Sequence, residues 1–384
     1  MPIYLDNNAT TQPLDKVVAA MEVCLREIWG NPSSPHGAGR RARAVVENSR
    51  RSVASLVGAS SPGEIIFTSG GTESIQQVFH MWAWANKGKK GRIVVSAVEH
   101  DAVLQSAGRC AEDGHDLRRV GVDSKGQLDV DGLEEALRNA PPKALVSLML
   151  ANNETGVIFP IPMVAEICRR HRALLHVDAV QAVGKMRVDV EALGCDYLSL
   201  SAHKFHGPKG VGALYLRRGA PGGALIPGNQ ENGLRGGTEN VPGIAGMGTA
   251  ANAVGESLEP GILHMKALRD DLERGILQAS PSCQVNGNGA DRICNTTSIH
   301  FPGKNAADIV DQLTSRDICA SAGAACSNGG SVSHVLVAMG FSAERANASV
   351  RFSVSSLNRA DELAGVPKTI AEVVASTLTA YNVR

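Results

Sequence analysis

Short apolar runs alternate along the chain with longer segments whose apolar positions recur roughly every three to four residues. The runs Glu64 to Thr68, Arg92 to Ser96, Leu145 to Leu150, Leu174 to Asp178, Tyr197 to Ser201 and Gly212 to Leu216 predict strands. Helical patterns fall between them at Ser74 to Lys87, Ala102 to Asp113, Val130 to Asn139 and Met163 to His171. Two further helices, Leu14 to Ile28 and Gly39 to Val57, precede the first strand. Strand and helix in alternation predict an α/β fold with a mostly parallel central sheet flanked by helices. Beyond about Gly255 the pattern changes to a long helix (Ile262 to Ala279), two strand-like runs and a final helix (Ala360 to Tyr381). That change predicts a large domain over 14–256 and a smaller α+β domain formed by 1–13 and 257–384.

Composition narrows the function classes. With 38 Lys+Arg against 38 Asp+Glu the formal charge is zero, so the chain lacks the basic excess needed to grip nucleic acid or an anionic membrane. The Arg40-Arg41-Ala42-Arg43 and Arg50-Arg51 runs read as a solvated helix face, with a basic patch for a nucleic-acid-modifying partner as the alternative. The start, Met1 to Asp6, has neither a basic nor an apolar targeting region, and the longest uncharged stretch, Ile318 to Ala343, is broken by glycines and serines. The eight cysteines are scattered without a CxxC pair, which argues against a disulfide framework or a thiolate metal site. A cytoplasmic enzyme, with no metal, is the expectation. All the cysteines but Cys326 read as small buried hydrophobes.

In a parallel sheet, ligands sit beyond the carboxyl ends of the strands. The first sheet strand ends in Thr68-Ser69-Gly70-Gly71-Thr72-Glu73-Ser74 and runs directly into a helix. Such a turn offers free N–H groups and a positive dipole end to a phosphate, and it also serves as a plain helix cap. Asp178 ends one strand, and Ser201-Ala202-His203-Lys204-Phe205-His206-Gly207-Pro208-Lys209 follows the next. A carboxylate and a lysine so placed suit pyridoxal phosphate: the amine binds the aldehyde, and the carboxylate keeps the ring nitrogen protonated. His100, after the Arg92 to Ser96 strand, adds an imidazole able to stack and to shuttle protons.

These motifs, together with Leu5-Asp6-Asn7-Asn8-Ala9-Thr10-Thr11, Gly30-Asn31-Pro32-Ser33-Ser34, Asn152-Asn153-Glu154-Thr155-Gly156, His176-Val177-Asp178-Ala179-Val180-Gln181, Arg235-Gly236-Gly237-Thr238-Glu239-Asn240, Ala325-Cys326-Ser327 and Arg351-Phe352-Ser353, resemble the NifS/IscS-type cysteine desulfurases over essentially the whole chain. Those enzymes belong to the fold-type I, class-V-aminotransferase-like group that uses pyridoxal 5'-phosphate. The resemblance implies that Lys204, rather than Lys209, carries the cofactor, because it follows His203 in the family's His-Lys pair. It implies that Asp178 pairs with the ring nitrogen, that Gln181 and Asn153 address the phenolic oxygen, and that His100 stacks on the ring. Gly71, Thr72, Ser201 and His203 would hold the phosphate, and Thr238 would reach the phosphate in the other subunit of a homodimer. Arg351, with Asn153, would bind the carboxylate of L-cysteine.

Cys326 would then take the substrate sulfur as a persulfide and release L-alanine, with Lys204 and His100 as proton carriers. A sulfur-acceptor protein would receive the persulfide, for iron–sulfur cluster assembly, tRNA thiolation or DNA phosphorothioation. The segment after Cys326, Ser327 to Val332, is one residue shorter than is usual in the family and lacks its acidic residue and proline. Competing expectations are a selenocysteine lyase or another fold-type I enzyme, which would not need Cys326, and a scaffold protein that keeps the fold alone.

Overall fold

A computed structural model describes residues 2–322 and 332–377. Strand β1 (Ile3–Tyr4) is followed by seven strands that form one sheet: β2 (Ile65–Thr68), β3 (Arg92–Ser96), β4 (Asp116–Val120), β5 (Leu145–Met149), β6 (Leu174–Asp178), β7 (Tyr197–Ser201) and β8 (Gly212–Leu216). Their order is β2-β8-β7-β6-β5-β3-β4. The pairs β3–β4, β3–β5, β5–β6 and β6–β7 are parallel, and β8 runs antiparallel to both β7 and β2. All strands but β8 therefore point the same way, so Thr68, Ser96, Met149, Asp178 and Ser201 end on one rim. The wholly buried, Val- and Leu-rich β5, β6 and β7 are what a sheet covered on both faces requires.

A second, four-stranded sheet contains β9 (Gln284–Val285), β10 (Thr296–His300), β12 (Ser321–Ala322) and β13 (Ser349–Ser353) in the order β12-β13-β10-β9, while β11 (Ile318–Cys319) pairs with β1. Its core joins Leu5 to Met265, Leu272, Ile299, Phe301, Ile309, Phe352 and Ile370. The helix His334–Ala338, by contrast, sends Val335 and Leu336 into the core of the large sheet. No helix among the described residues is long and apolar enough to cross a membrane.

Several elements depart from the sequence expectation. Strand β4 was not predicted, because its Arg118 and Arg119 sit exposed on the edge of the sheet, where charged residues guard an open ladder and mask the apolar pattern. A helix at Val241–Glu256 also escaped prediction, being built of Gly and Ala with little periodicity. Its glycines permit close packing: a Cβ on Gly248 would stand 2.6 Å from Ser49 Oγ. The predicted final helix is two pieces, Ala360–Leu363 and Val366–Ser376. Gly365 caps the second piece and Pro367, which cannot donate a backbone N–H, lies in its first turn. Arg50 belongs neither to the expected solvated helix face nor to a basic patch: it is buried and bidentate to Glu231, at 2.6 and 2.8 Å.

Candidate active site

The rim of the large sheet, the N-terminal segment and β13 enclose a cavity of about 200 Å³. Gly71, Thr72, His100, Asn153, Asp178, Gln181, Ser201, His203, Lys204 and Arg351 all line it, beside the apolar Ile75, Met149, Ala151 and Val180. Of the remaining predicted positions, Thr238 is exposed and Cys326 lies outside the described residues; Lys209, set aside in favour of Lys204, is exposed.

Most of the polar groups reach the cavity from at or just beyond a strand end, and Arg351 from the middle of β13. Asp178 is the last residue of β6, buried, with Oδ1 accepting from Val180 N at 3.0 Å. Burial pushes its carboxyl above the ordinary aspartate range, against the pull of His100 and Lys204. Lys204 closes the short turn Ala202–Lys204 after β7. Its Nζ donates to the carbonyls of Asn8 at 2.6 Å and Ala9 at 2.8 Å. The same N-terminal stretch clamps the lysine turn, since Thr11 N donates to His203 O at 2.8 Å and His206 N donates to Thr11 Oγ1 at 2.7 Å.

His100 caps the helix Asp101–Glu112, and its Nδ1 accepts from Ala102 N at 3.1 Å. A neutral ring so held carries its proton on Nε2. His203 lies against Thr10 Oγ1 at 3.2 Å, and burial with the neighbouring lysines pushes its imidazole down to about 4. Asn152 Oδ1 accepts from Glu154 N and Thr155 N, an Asx turn that sets Asn153 at the cavity wall.

Arg351 enters from β13. Its Nη1 donates to Asn153 O at 3.0 Å and its Nη2 pairs with Asp6 Oδ1 at 2.7 Å, while its buried Nε has no partner among the described residues. An unpaired, buried guanidinium N–H is costly unless an acceptor arrives. Beside the same cavity, Ser333 Oγ donates to Glu154 Oε2 and His334 Nε2 meets Glu99 O at 3.0 Å. Ser321, on β12, pairs with Arg351. The residues flanking segment 323–331 are thus both fastened beside the cavity, Ser321 to Arg351 and Ser333 to Glu154.

Sequence reasoning assigned no role to Asn8, whose carbonyl takes both Lys204 Nζ and Gln181 Nε2, or to the buried Lys185 beside them. The signal was present in the Leu5 to Thr11 motif, and in a lysine set among the apolar residues of 179–186. The expectation of buried cysteines fits Cys24, Cys110, Cys168, Cys195, Cys283 and Cys294, whereas Cys319 is only half-buried. Burial pushes Cys168 and Cys195 up to about 12, and Cys110, Cys283 and Cys294 up to about 11. Such thiols are poor nucleophiles near neutrality.

The donor set fits pyridoxal phosphate. A buried carboxylate suits a ring N–H, the unpaired Arg351 Nε suits a substrate carboxylate, and the helix Gly71–Ala85 opens at the cavity with Gly71 so close to Val180 that a Cβ would lie 2.7 Å from it. The profile of the class-V aminotransferases matches residues 3–366. A cysteine desulfurase of Sinorhizobium fredii is 44% identical over 376 residues, covering 97% of this chain and 96% of that protein. The solved structure of a NifS-like protein superposes with a TM-score of 0.90 at 38% identity, covering 98% of this chain and 100% of that one. Another, SspA in complex with cysteine, gives 0.81 at 30% identity over 93% of this chain and 100% of that one. The chain belongs to the class-V aminotransferase family, as one of its pyridoxal-phosphate-dependent cysteine desulfurases.

Proposed function

We propose that Lys204 is the amine that carries the cofactor, that Cys326 is the sulfur acceptor, and that the enzyme works as a cytoplasmic homodimer in which Thr238 serves the partner's site. The observation that carries this reading is the meeting of Asp178, Lys204, His100 and Arg351 at one cavity. Gly71, Thr72, Ser201 and His203 would hold the phosphate, Asp178 the ring nitrogen, and Asn153 and Gln181 the phenolic oxygen. Bound there, pyridoxal phosphate supplies an electron sink that makes the Cα proton of an amino acid labile. The packing of Leu5 with residues beyond 257 supports a small domain made of 1–13 and 257–384.

Arg351 binds the carboxylate of L-cysteine and orients it across the cavity. Lys204 Nζ takes up the Cα proton, and His100 Nε2 moves a second proton at the substrate. The Cys326 thiolate forms an S–S bond with the substrate sulfur as the Cβ–S bond breaks. The electron pair stays with the carbon skeleton, which is protonated and leaves as L-alanine. The high proton affinity of five buried thiols supports Cys326 in this role, because it disfavours them as nucleophiles. An acceptor protein then takes the persulfide sulfur, for iron–sulfur clusters, tRNA thiolation or DNA phosphorothioation.

The test is alanine and sulfide production by Cys326→Ala and Lys204→Ala. Both are expected to be inactive, with Lys204→Ala also losing covalently held cofactor. Full sulfide release by Cys326→Ala would replace this reading with a lyase that needs no thiol. Co-purification of a carrier, scaffold or modifying enzyme identifies the acceptor.

A further inference from the structure

Lys185 is 4% exposed and lies under the cavity wall. A buried amine is expensive to keep, because burial disfavours its charged form. Its Nζ donates to Gln181 Oε1 at 2.7 Å and to Asn8 Oδ1 at 3.3 Å, and both acceptors are amide oxygens rather than carboxylates. Burial and the nearby Lys204 push the amine down to about 7, yet it remains a donor in either protonation state.

The consequence falls on Gln181. The atom facing the Lys185 ammonium must accept, so it is the oxygen. The other end of the amide meets Asn8 O at 2.9 Å, and a carbonyl can only accept, so that end is the nitrogen. The two contacts fix the same orientation. Asn8 is itself held, with Oδ1 accepting from Asn295 Nδ2 at 3.0 Å and Nδ2 donating to Thr296 Oγ1 at 2.8 Å. Gln181 Nε2 keeps a second hydrogen, and Gln181 lines the cavity.

We propose that Lys185 is a positioning residue that locks the Gln181 carboxamide with its N–H edge toward the cavity, making Gln181 a hydrogen-bond donor to the phenolic oxygen of the cofactor. The proposal rests on the placement of Gln181 at that oxygen. Without Lys185 only the Asn8 carbonyl would oppose the turned-over amide, which presents its oxygen, an acceptor facing an anion.

The experiment is a double-mutant cycle on Lys185→Met, Gln181→Ala and the double variant, read without turnover. Pyridoxal phosphate is titrated into each apoprotein, and the pH midpoint of the bound cofactor's absorbance is recorded. Lys185→Met is expected to weaken cofactor binding roughly five- to tenfold, the size of one net hydrogen bond, and to move the midpoint upward, because an oxygen that loses a donor holds its proton more tightly. In the Gln181→Ala background the same substitution should add nothing further. Equal losses in both backgrounds, or wild-type behaviour of Lys185→Met alone, overturn the proposal. A Gln181→Ala variant that binds and titrates like wild type overturns the placement of Gln181 and the proposal with it. Should Lys185→Met fail to fold, Gln181→Glu keeps the acceptor for Lys185 and removes the amide N–H group, the bond to Asn8 O together with the cavity-facing donor. It should then bind the cofactor as weakly as Gln181→Ala, and wild-type binding overturns the proposal.

Discussion

Arg351 and Asp6 form an ion pair, Nη2 to Oδ1 at 2.7 Å, which leaves the buried Nε of Arg351 as the guanidinium group without a partner among the described residues. A planar guanidinium that keeps one edge on Asp6 and Asn153 still offers an N–H to a carboxylate. Arg351→Lys should therefore lower kcat/KM for L-cysteine on the order of ten- to a hundredfold, mostly through KM, since a charge-assisted bond is lost with its geometry. Steady-state alanine formation measures it, and an unchanged KM would remove Arg351 from substrate binding.

Asp178→Asn keeps the shape of the buried side chain and its bond from Val180 N while removing the charge. Alanine formation should fall on the order of a hundredfold or more, as expected when an electrostatic partner leaves a water-poor site. Cofactor should still bind covalently, which absorbance of the purified variant checks.

Arg50 and Glu231 make the best-formed buried ion pair among the described residues, and Glu231 Oε2 also accepts from Phe67 N at 2.8 Å. Removing one partner strands the other. Arg50→Ala should cost about 3–5 kcal/mol of stability, seen as a lower urea midpoint. The loop that carries Arg235 and Thr238 follows Glu231 directly, so the content of the proposed homodimer is a second readout.

Glu99 is fully buried beneath the site, bonded to Ser96 Oγ at 2.5 Å, with Oε2 unpartnered among the described residues. Burial raises its carboxyl from the ordinary value to about 8. The folded state thus binds more protons than the unfolded state between about pH 4.5 and 8, and stability contributed by this group falls as pH rises through that window. Glu99→Gln should remove that slope, which for one group is at most about 1.4 kcal/mol per pH unit. Unfolding midpoints at several pH values, compared with wild type, supply the test.

Asp178, Lys204 and His100 were legible in the sequence because each ends or follows a short strand rich in apolar residues, and parallel strands bring their carboxyl ends together without any knowledge of side-chain packing. Strand β4 was not, because edge charges erase the pattern that marks a buried strand. Asn8 and Lys185 were hidden for another reason. Both depend on contacts across 173 and 177 positions of chain, which no local periodicity encodes, although Lys185 also meets Gln181 four positions away. Arg351 was placed only by resemblance, since nothing in β13 alone says that its central arginine faces a cavity made by another sheet.

The N-terminal stretch links two parts of the molecule over a very short distance. Leu5 is anchored in the core of the four-stranded sheet, and Asn8, three positions on, holds Lys204 through its carbonyl. The link is a turn, with Ala9 N donating to Asp6 O at 3.0 Å, and even fully extended it would span only about 10 Å. A shift of the smaller core pulls on the two carbonyls that hold the lysine amine. The opening residues thus work as a tether that couples the position of one core to the lysine amine held against the other.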